Sequence, residues 1–269
     1  DAQDKYIIPY IGQDLFDKIV DDPADDLREY LLRALGPFAM ALSTDEFSIN
    51  FGESGHTVAR SDSLAPASDT KIEKATESLF NRGWSNLDNA LKYLESEKSA
   101  YPDWSKSPRL VSTSLFEDAS EFQEKGLVDI DYSPLAFSHL RVLIIRIENS
   151  ESFKLLPAAT RTNFNKEAFP DVTAALQAYT GSRVAALHTS QSTRVQRGRP
   201  GSKTEFKPII RPLYGDLENT GNYFDEQAAF WRSALDEALV EANEKDAGEG
   251  VVTWNNQGRR IFVANAGRS

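Results

Sequence analysis

Apolar residues recur at helical spacing in long segments of the first third of this chain. One segment runs from Leu27 to Ser43 with Gly36-Pro37 in its middle, and another runs from Lys71 to Glu97 with Gly83 inside it. Residues three and four positions apart share a face of a helix, so each segment predicts a helix with one buried face. We expect a kink at Gly36-Pro37. The second segment predicts either one long helix or a helix pair broken near Gly83.

The same spacing returns in the second half of the chain. The segments Asp171–His188 and Phe224–Ala242 predict two further core helices. Before them, Ser133-Pro134 combines an N-cap residue with proline at the first helical position, which indicates a helix start. The following residues, Arg141–Ile147, are rich in β-branched side chains, so we predict a helix with a buried strand as the alternative. The apolar face that favours the helix consists of Phe137, Leu140, Ile144 and Ile147.

Two stretches of the chain repeat one pattern of residues in the same order and at a nearly constant separation. The matching segments are Ile7-Ile8-Pro9 and Leu155-Leu156-Pro157, Gly36 and Gly181, and Leu87–Leu91 and Leu235–Leu239. Such a recurrence predicts a duplicated helix-hairpin-helix unit. The alternative is that amphipathic helices share their apolar spacing by chance.

Alternation of apolar and polar residues predicts three β-hairpins. The first covers residues 47–60 with a turn at Gly52–Gly55. The second covers residues 193–208 with a turn at Gly198–Gly201, and the third lies in residues 251–269. Their tips are polar, so we expect them to project from the helical body.

These elements predict two helical repeats followed by a short tail. Residues 1–104 form the first repeat with the hairpin at 47–60, and residues 105–250 form the second with the hairpin at 193–208. Residues 251–269 form a C-terminal hairpin tail. The predicted fold class is therefore mainly α, a helical bundle of duplicated helix-hairpin-helix units with projecting β-hairpins.

The charge and composition of the chain exclude several classes of function. A formal net charge of -11 argues against free nucleic acid as the main partner, because phosphate binding needs clustered Lys and Arg. The chain has no cysteine, which excludes a disulfide framework, a thiolate zinc site and a cysteine nucleophile. No apolar run approaches the roughly 20 residues needed to cross a bilayer, so we expect no membrane role.

The sequence lacks the common motifs of catalysis and of cofactor binding. His56, His139 and His188 do not have the spacing that would place two metal ligands on one helix face. There is no G-x-S-x-G elbow, phosphate-binding loop or dinucleotide-binding glycine pattern. Acidic pairs such as Glu117-Asp118 are expected by chance among 41 acidic residues. We therefore predict no catalytic residue, no metal and no cofactor, in a protein that is not an enzyme.

Basic residues cluster in the second predicted hairpin of this otherwise acidic chain. They are Arg194, Arg197, Arg199, Lys203 and Lys207. Charge of one sign on a projecting loop favours docking on an acidic protein surface or on DNA. The alternative is a solvated loop whose charges prevent edge-to-edge aggregation. In the closing hairpin, Trp254 and Phe262 are predicted to dock by adding a strand to a partner.

A set of segments spread over most of the chain carries a resemblance to a known family. The segments are Tyr6–Gly12, Leu27–Ser43, the first hairpin and the helix ending near Tyr93–Glu95, and in the second copy Ser133-Pro134, Leu140–Ile147, Leu156-Pro157 and the Trp231 helix. Their apolar spacing and their glycine and proline positions resemble a family of uncharacterised proteins encoded by tailed phages and prophages of Bacteroidetes.

This resemblance implies a virion structural role in the head-to-tail region. It implies a connector or adaptor that assembles on the portal as a ring, through docking of loops and hairpins, in the host cytoplasm where virions form. The implied partners are the portal or neighbouring connector and tail proteins, with a homo-oligomer in the assembled particle. The resemblance carries over no catalytic residue.

An alternative from a different class of function is an exported helical binding module of a Bacteroidetes host, with glycans as ligands. The chain begins at Asp1 without methionine, which permits a cleaved leader as well as a trimmed tag. Trp84 and Trp231 occupy nearly corresponding points of the two copies, where they either stack on sugars or anchor the cores. Exposed tryptophans would favour the binding module, and buried ones would favour the connector.

Overall fold

The structure of the protein, a computed structural model, describes most of the chain in two compact units. The described residues are 1–22, 25–47, 50–52, 55–57, 69–102, 104, 112–162, 164–198, 217–246, 251–255 and 260–264. The first unit contains the described residues up to Trp104, and the second contains those from Ser112 onward. Both are built mainly from α-helices.

The first unit consists of short helices, two long helices and one short strand pair. It opens with a π-helix, π1 (Gln3–Ile7), followed by α1 (Ile8–Ile11), α2 (Gln13–Asp21), α3 (Asp26–Phe47), β1 (Asn50–Gly52), β2 (Gly55–Thr57) and α4 (Asp69–Ser96). The strands β1 and β2 pair antiparallel, with Phe51 opposite His56.

The acidic residues before α3 cap that helix. The side-chain oxygen Oδ1 of Asp25 accepts a hydrogen bond from the backbone N–H of Leu27 at 2.8 Å. A carboxylate at this end also meets the positive end of the helix dipole. The helix then continues through Pro37 as far as Phe47.

The long helix α4 is continuous through Gly83, so the prediction of one long helix is confirmed. A β-carbon at position 83 would lie 2.6 Å from Cε1 of Phe38, which is fully buried. The Phe38 ring stacks on Tyr6 with a centroid distance of 4.4 Å and meets Trp84 edge-on at 5.0 Å. Gly83 therefore makes room for an aromatic core and does not break the helix.

The second unit begins with two helices that have no counterpart in the described part of the first unit. Its elements are α5 (Ala119–Gly126), α6 (Pro134–Ile147), a second π-helix π2 (Glu148–Ser152), α7 (Phe153–Leu155), α8 (Ala158–Thr162), α9 (Pro170–Gly198), α10 (Leu217–Asp246), β3 (Val251–Asn255) and β4 (Arg260–Ala264). The strands β3 and β4 pair antiparallel, and β3 contacts α10.

The segment at Arg141–Ile147 is helical, and the alternative of a buried strand is wrong. Helix α6 starts as its sequence predicts, because the Ser133 hydroxyl accepts a hydrogen bond from the N–H of Ala136 at 2.9 Å and Pro134 occupies the first turn. The residues of the predicted apolar face are all buried: Phe137, Leu140, Ile144 and Ile147. In this segment, the helical spacing of the apolar residues therefore outweighs their β propensity.

The predicted hairpin at residues 193–208 is wrong over Thr193–Gly198, which form the last turns of α9. A helix that is already formed extends at little cost, and Arg and Gln in this segment are good helix formers. The remainder of that range lies outside the described residues. In the described backbone, strand pairs occur within 47–60 and within 251–269, but neither pair is seen to project from a helical body.

The two units share one order of elements. Each has a π-helix, then short helices, then two long helices that pack against each other. The long helices run antiparallel in both units. In the first, Tyr30 stacks on Tyr93 and the Asn86 amide donates to the carbonyl oxygen of Arg33; in the second, Arg183 binds Asp225 and Thr189 lies beside Gly221. Matching leucines are buried in α4 and α10, namely Leu87 and Leu91 in the first and Leu235 and Leu239 in the second. A duplicated unit would produce this common order.

The second unit differs because an arm, residues 112–147, covers α9. The end of α5 packs so closely on α9 that a β-carbon at Gly181 would overlap the carbonyl oxygen of Gly126 and lie 2.6 Å from its Cα. The Gln177 side chain donates a hydrogen bond to the carbonyl oxygen of Leu115 at 2.7 Å. Phe122 of the arm is fully buried. Helix α9 is therefore covered by the arm as well as by α10.

Replacing Gly181 by alanine tests this backbone contact. The added methyl group must displace α5, so we expect Gly181→Ala to lower the free energy of unfolding by about 1–3 kcal/mol. Urea denaturation followed by circular dichroism measures the change. Gly36→Ala is the matched control, because within the described part of the chain only the backbone of its own helix lies within 4 Å of the new methyl group. Its gain in helix propensity is offset by the strain of a β-carbon before proline, so its effect should stay below about 1 kcal/mol.

Candidate functional site

The predicted docking residues are only partly covered by the structure. Arg194 and Arg197 lie in the last turns of α9, and their side chains are outside the described residues. Arg199, Lys203 and Lys207 lie wholly outside the described residues. Whether these basic side chains lie close together is therefore outside what the structure describes, and their docking role stays a prediction.

The two residues predicted to dock by strand addition lie on the C-terminal strand pair. Trp254 is on β3 opposite Ile261, and Phe262 is on β4 opposite Thr253. Neighbouring positions of a strand point to opposite faces, and Trp254 pairs with the residue next to Phe262. The two residues are therefore adjacent in register but not directly paired.

A polar groove lies between α3 and α4 of the first unit. We call it the tyrosine groove; it has a volume of about 450 Å³ and is lined by Tyr30, Arg33, Asn86, Asn89, Lys92, Tyr93 and Ser96. Tyr30 and Tyr93 stack with a centroid distance of 5.0 Å. Tyr93 also meets Tyr101 edge-on at 6.2 Å. Aromatic rings and side-chain amides therefore line the same groove.

The charges in the tyrosine groove are partly neutralised within each helix. Arg33 binds Glu29 one turn away, and Lys92 lies 3.5 Å from Asp88. The Asn86 amide donates to the carbonyl oxygen of Arg33 at 2.8 Å, which joins the two helices. The groove therefore suits a polar ligand that uses hydrogen bonds and ring stacking more than one that needs a strong positive field.

Tyr101 follows Tyr30 and Tyr93 in a row of three contacting rings, and its hydroxyl stays protonated. Its hydroxyl donates a hydrogen bond to the Asp25 carboxylate at 2.7 Å. Burial, and after it the hydrogen bond to Asp25, raises the pKa of Tyr101 well above its usual range. The Asp25 carboxylate thus caps α3 and holds the phenol at once.

The tyrosine groove was not predicted from the sequence. Tyr30 and Tyr93 belong to helices that are far apart in the chain, and only the antiparallel packing of α3 on α4 brings them together. Tyr30 and Tyr93 lie beside the apolar faces of their helices. Their aromatic side chains were the one signal in the sequence that could have indicated the groove.

An ionic cluster in the second unit joins π2, α9 and α10. The Nε of Arg183 donates to the Glu151 carboxylate at 2.8 Å, and its guanidinium also binds Asp225. The Tyr179 hydroxyl donates to the same Glu151 carboxylate at 3.2 Å. Burial opposes the ionisation of Glu151, but the hydrogen bond and the charge of Arg183 outweigh it and lower the pKa of Glu151.

A buried carboxylate holds the start of the arm. Glu148, in π2, is 1% exposed, and its side chain accepts hydrogen bonds from the backbone N–H of Leu115 at 2.9 Å and of Ser114 at 3.3 Å. Buried polar groups persist only when they are hydrogen-bonded, so this contact ties the arm to π2. The role is structural.

The tryptophan singled out in the first unit belongs to its aromatic core. Trp84 meets the rings of Tyr6, Tyr10 and Phe38 edge-on. Trp231 is half-buried on α10 beside Phe230. Core anchoring therefore accounts for Trp84, and a sugar-stacking platform built on it would have to break this packing.

The part of the chain that the structure describes holds neither a cluster of metal ligands nor a membrane-spanning helix. Within it, no group of three His, Cys, Asp or Glu residues comes close enough to hold a metal ion. None of its helices combines the length and the apolar character that spanning a membrane requires. His188 lies in α9, where burial lowers its pKa.

The Glu151 cluster predicts a pH-dependent contribution to stability. Because the folded-state pKa of Glu151 is lowered, its stabilising effect is complete above the unfolded pKa of about 4.3 and is lost as the pH falls through the folded value. We expect Glu151→Gln to lower the Tm at pH 7 and to change it much less at pH 3. Thermal melts at both pH values measure this difference.

The matched control for that variant is Glu226→Gln, an exposed carboxylate on α10. It should leave the Tm nearly unchanged at both pH values. A difference between Glu151→Gln and the wild type that is equal at pH 7 and pH 3 would contradict the role assigned to the ionised carboxylate.

Comparison with known proteins gives a family match over the first part of the chain. Residues 1–114 match a family of unknown function, DUF6712. No curated protein and no solved structure matches the chain. The matched residues include all described elements of the first unit and the whole tyrosine groove.

Proposed function

We propose that the protein is a virion structural protein of a tailed phage, a connector or adaptor in the head-to-tail region. The observation that supports this best is the recurrence of one scaffold, in which two long antiparallel helices follow a π-helix and short helices in each unit. A repeated helical scaffold with a well-packed core suits a protein that works by holding neighbours in place. The head-to-tail location and a Bacteroidetes source are what the resemblance to phage and prophage proteins implies.

Assembly into a ring needs two different patches on one subunit. A heterologous interface closes into a ring when successive copies are related by a rotation. A basic segment at Arg194–Lys207 and the acidic remainder of a chain whose formal net charge is -11 supply complementary patches. We propose that this segment docks on a neighbouring copy or on the portal, and that the strand pair at Trp254 and Phe262 projects to add a strand to a partner.

The basic segment can be tested by removing its charge. In the triple variant Arg194→Ser, Arg197→Ser and Arg199→Ser, we expect an unchanged melting curve for the helical core and a clear loss of assembly on the partner or on further copies. Sedimentation of the assembled particle measures that loss. Assembly at the wild-type level would contradict docking through this segment.

A second candidate, an exported binding module for glycans, is favoured by the tyrosine groove. Stacked rings beside the amides of Asn86 and Asn89 are groups that bind sugar rings and hydroxyls. The aromatic core around Trp84 does not add to this candidate, because its ring already packs on Tyr6 and Phe38.

The location of the protein separates the two candidates. We expect quantitative mass spectrometry of density-purified phage particles, induced from the source strain, to find the protein at a low fixed ratio to the capsid protein. Absence from particles, together with recovery in the envelope or periplasmic fraction, would contradict the virion role and favour the exported module.

A further inference from the structure

The helices α3 and α9 occupy equivalent places in the two units. Each follows a π-helix and short helices, and each pairs with the next long helix. Their buried positions match in order, with Leu27, Leu31, Ala34 and Ala41 in α3 and Val172, Leu176, Tyr179 and Ala186 in α9. In this correspondence Gly36 is the counterpart of Gly181, and the residues one turn away on either side can be compared directly.

On α9 the face around this glycine is covered. Gln177 is 3% exposed and Ala185 is 0% exposed, and between them Gly181 meets the backbone of Gly126 at the end of α5. The cover is the arm, residues 112–147, whose helices α5 and α6 both contact α9. The glycine permits this contact because any side chain would hold the two backbones apart.

On α3 the corresponding face is open. Leu32 is 50% exposed and Met40 is 59% exposed, and apart from the backbone of α3 itself no atom of the described residues lies within 4 Å of the position that a β-carbon of Gly36 would take. We call this surface, formed by Leu32, Gly36 and Met40, the open face. It combines two large apolar side chains with a glycine between them, at the positions where α9 carries its cover.

We propose that the open face binds a helix supplied by a separate polypeptide, which crosses α3 at Gly36 as α5 crosses α9 at Gly181. The covered face of the second unit shows which kind of element fits such a surface: a short helix that ends in a small residue and carries apolar side chains along its inner side. The site does not depend on the proposed virion role, because it follows from the correspondence of α3 and α9.

The differences between the two faces define the chemistry of the bound helix. Gln177 donates hydrogen bonds to the carbonyl of Leu115 at 2.7 Å and to the carboxylate of Glu121 at 2.9 Å. Glu121 also accepts hydrogen bonds from the backbone N–H of Glu117 within the arm and from Nζ of Lys166 at 3.3 Å. Leu32 cannot donate, so an acid at this position would lose the Gln177 hydrogen bond on the open face. The helix that binds the open face therefore carries an apolar residue there. On the other side of Gly36, Met40 replaces the small Ala185, and its flexible side chain can adapt to the helix that binds there.

The arm of a second copy is a poor occupant of this surface. Within the chain, Glu148 holds Leu115 and Ser114, and the rings of Phe116 and Phe122 are fully buried. A neighbouring copy would have to uncover its own α9 to donate this arm. A helix from another polypeptide carries no such cost.

Binding of a peptide probe to the full-length protein tests the open face. The probe is a fluorescein-labelled peptide with the sequence of residues 112–130 and the change Glu121→Leu, which presents an apolar group toward position 32. We expect saturable binding by fluorescence anisotropy, and binding at least tenfold weaker for the peptide that keeps Glu121.

Two variants of the protein locate the binding site. Met40→Glu places a charge on the open face, and Gly36→Ala adds one methyl group at the crossing point, so each should weaken binding of the probe at least tenfold. Ser78→Glu is the matched control on an exposed position of α4 and should bind as the wild type does. All three should fold cooperatively with a Tm within a few degrees of the wild type, because the altered positions are exposed.

Three results would overturn the proposal. One is the absence of saturable binding by the wild type, and another is equal binding by the wild type, Met40→Glu and Gly36→Ala, which would place the peptide elsewhere. The third is self-association of the wild type that Met40→Glu abolishes in sedimentation velocity, since a second copy would then be the occupant.

Discussion

Each unit depends on the packing of two long antiparallel helices along one apolar seam. A helix with a single apolar stripe gains most of its stability in a protein from tertiary contacts, so neither long helix is stable without its partner. In the first unit the seam includes Leu87 and Leu91, and in the second it includes Leu235. The π-helices, short helices and capping residues attach to this pair, and both candidate surfaces of the first unit lie on its α3 helix.

Glycines decide how closely other groups approach these helices. Gly83 admits the ring of Phe38 into the first core, and Gly181 admits the backbone of α5 onto α9. Gly36 has the same place in its helix as Gly181, but no other described element comes within 4 Å of the position of its β-carbon. Equivalent glycines therefore form a helix contact in one unit and lie on an exposed surface in the other. The proposed binding of a partner helix is based on this difference.

Where the sequence carries a continuous apolar period, it predicts the structure well. The face of Phe137, Leu140 and Ile144 indicates a helix, and the structure has one, because burying that face outweighs the β propensity of the same residues. Thr193–Gly198 shows the limit of such reasoning. A turn signal and a few alternating residues predict a hairpin there, but the helix before them continues, since extension of an existing helix is cheap.

By itself, the sequence determined the mainly α class and the helix start at Ser133, because caps and the helical spacing of apolar residues are local properties of the chain. Only the tertiary structure decided which side chains meet. The stacking of Tyr30 on Tyr93 and the exposure of Leu32 depend on how helices far apart in the chain pack, or on whether an arm covers them. Local spacing carries no information about such contacts.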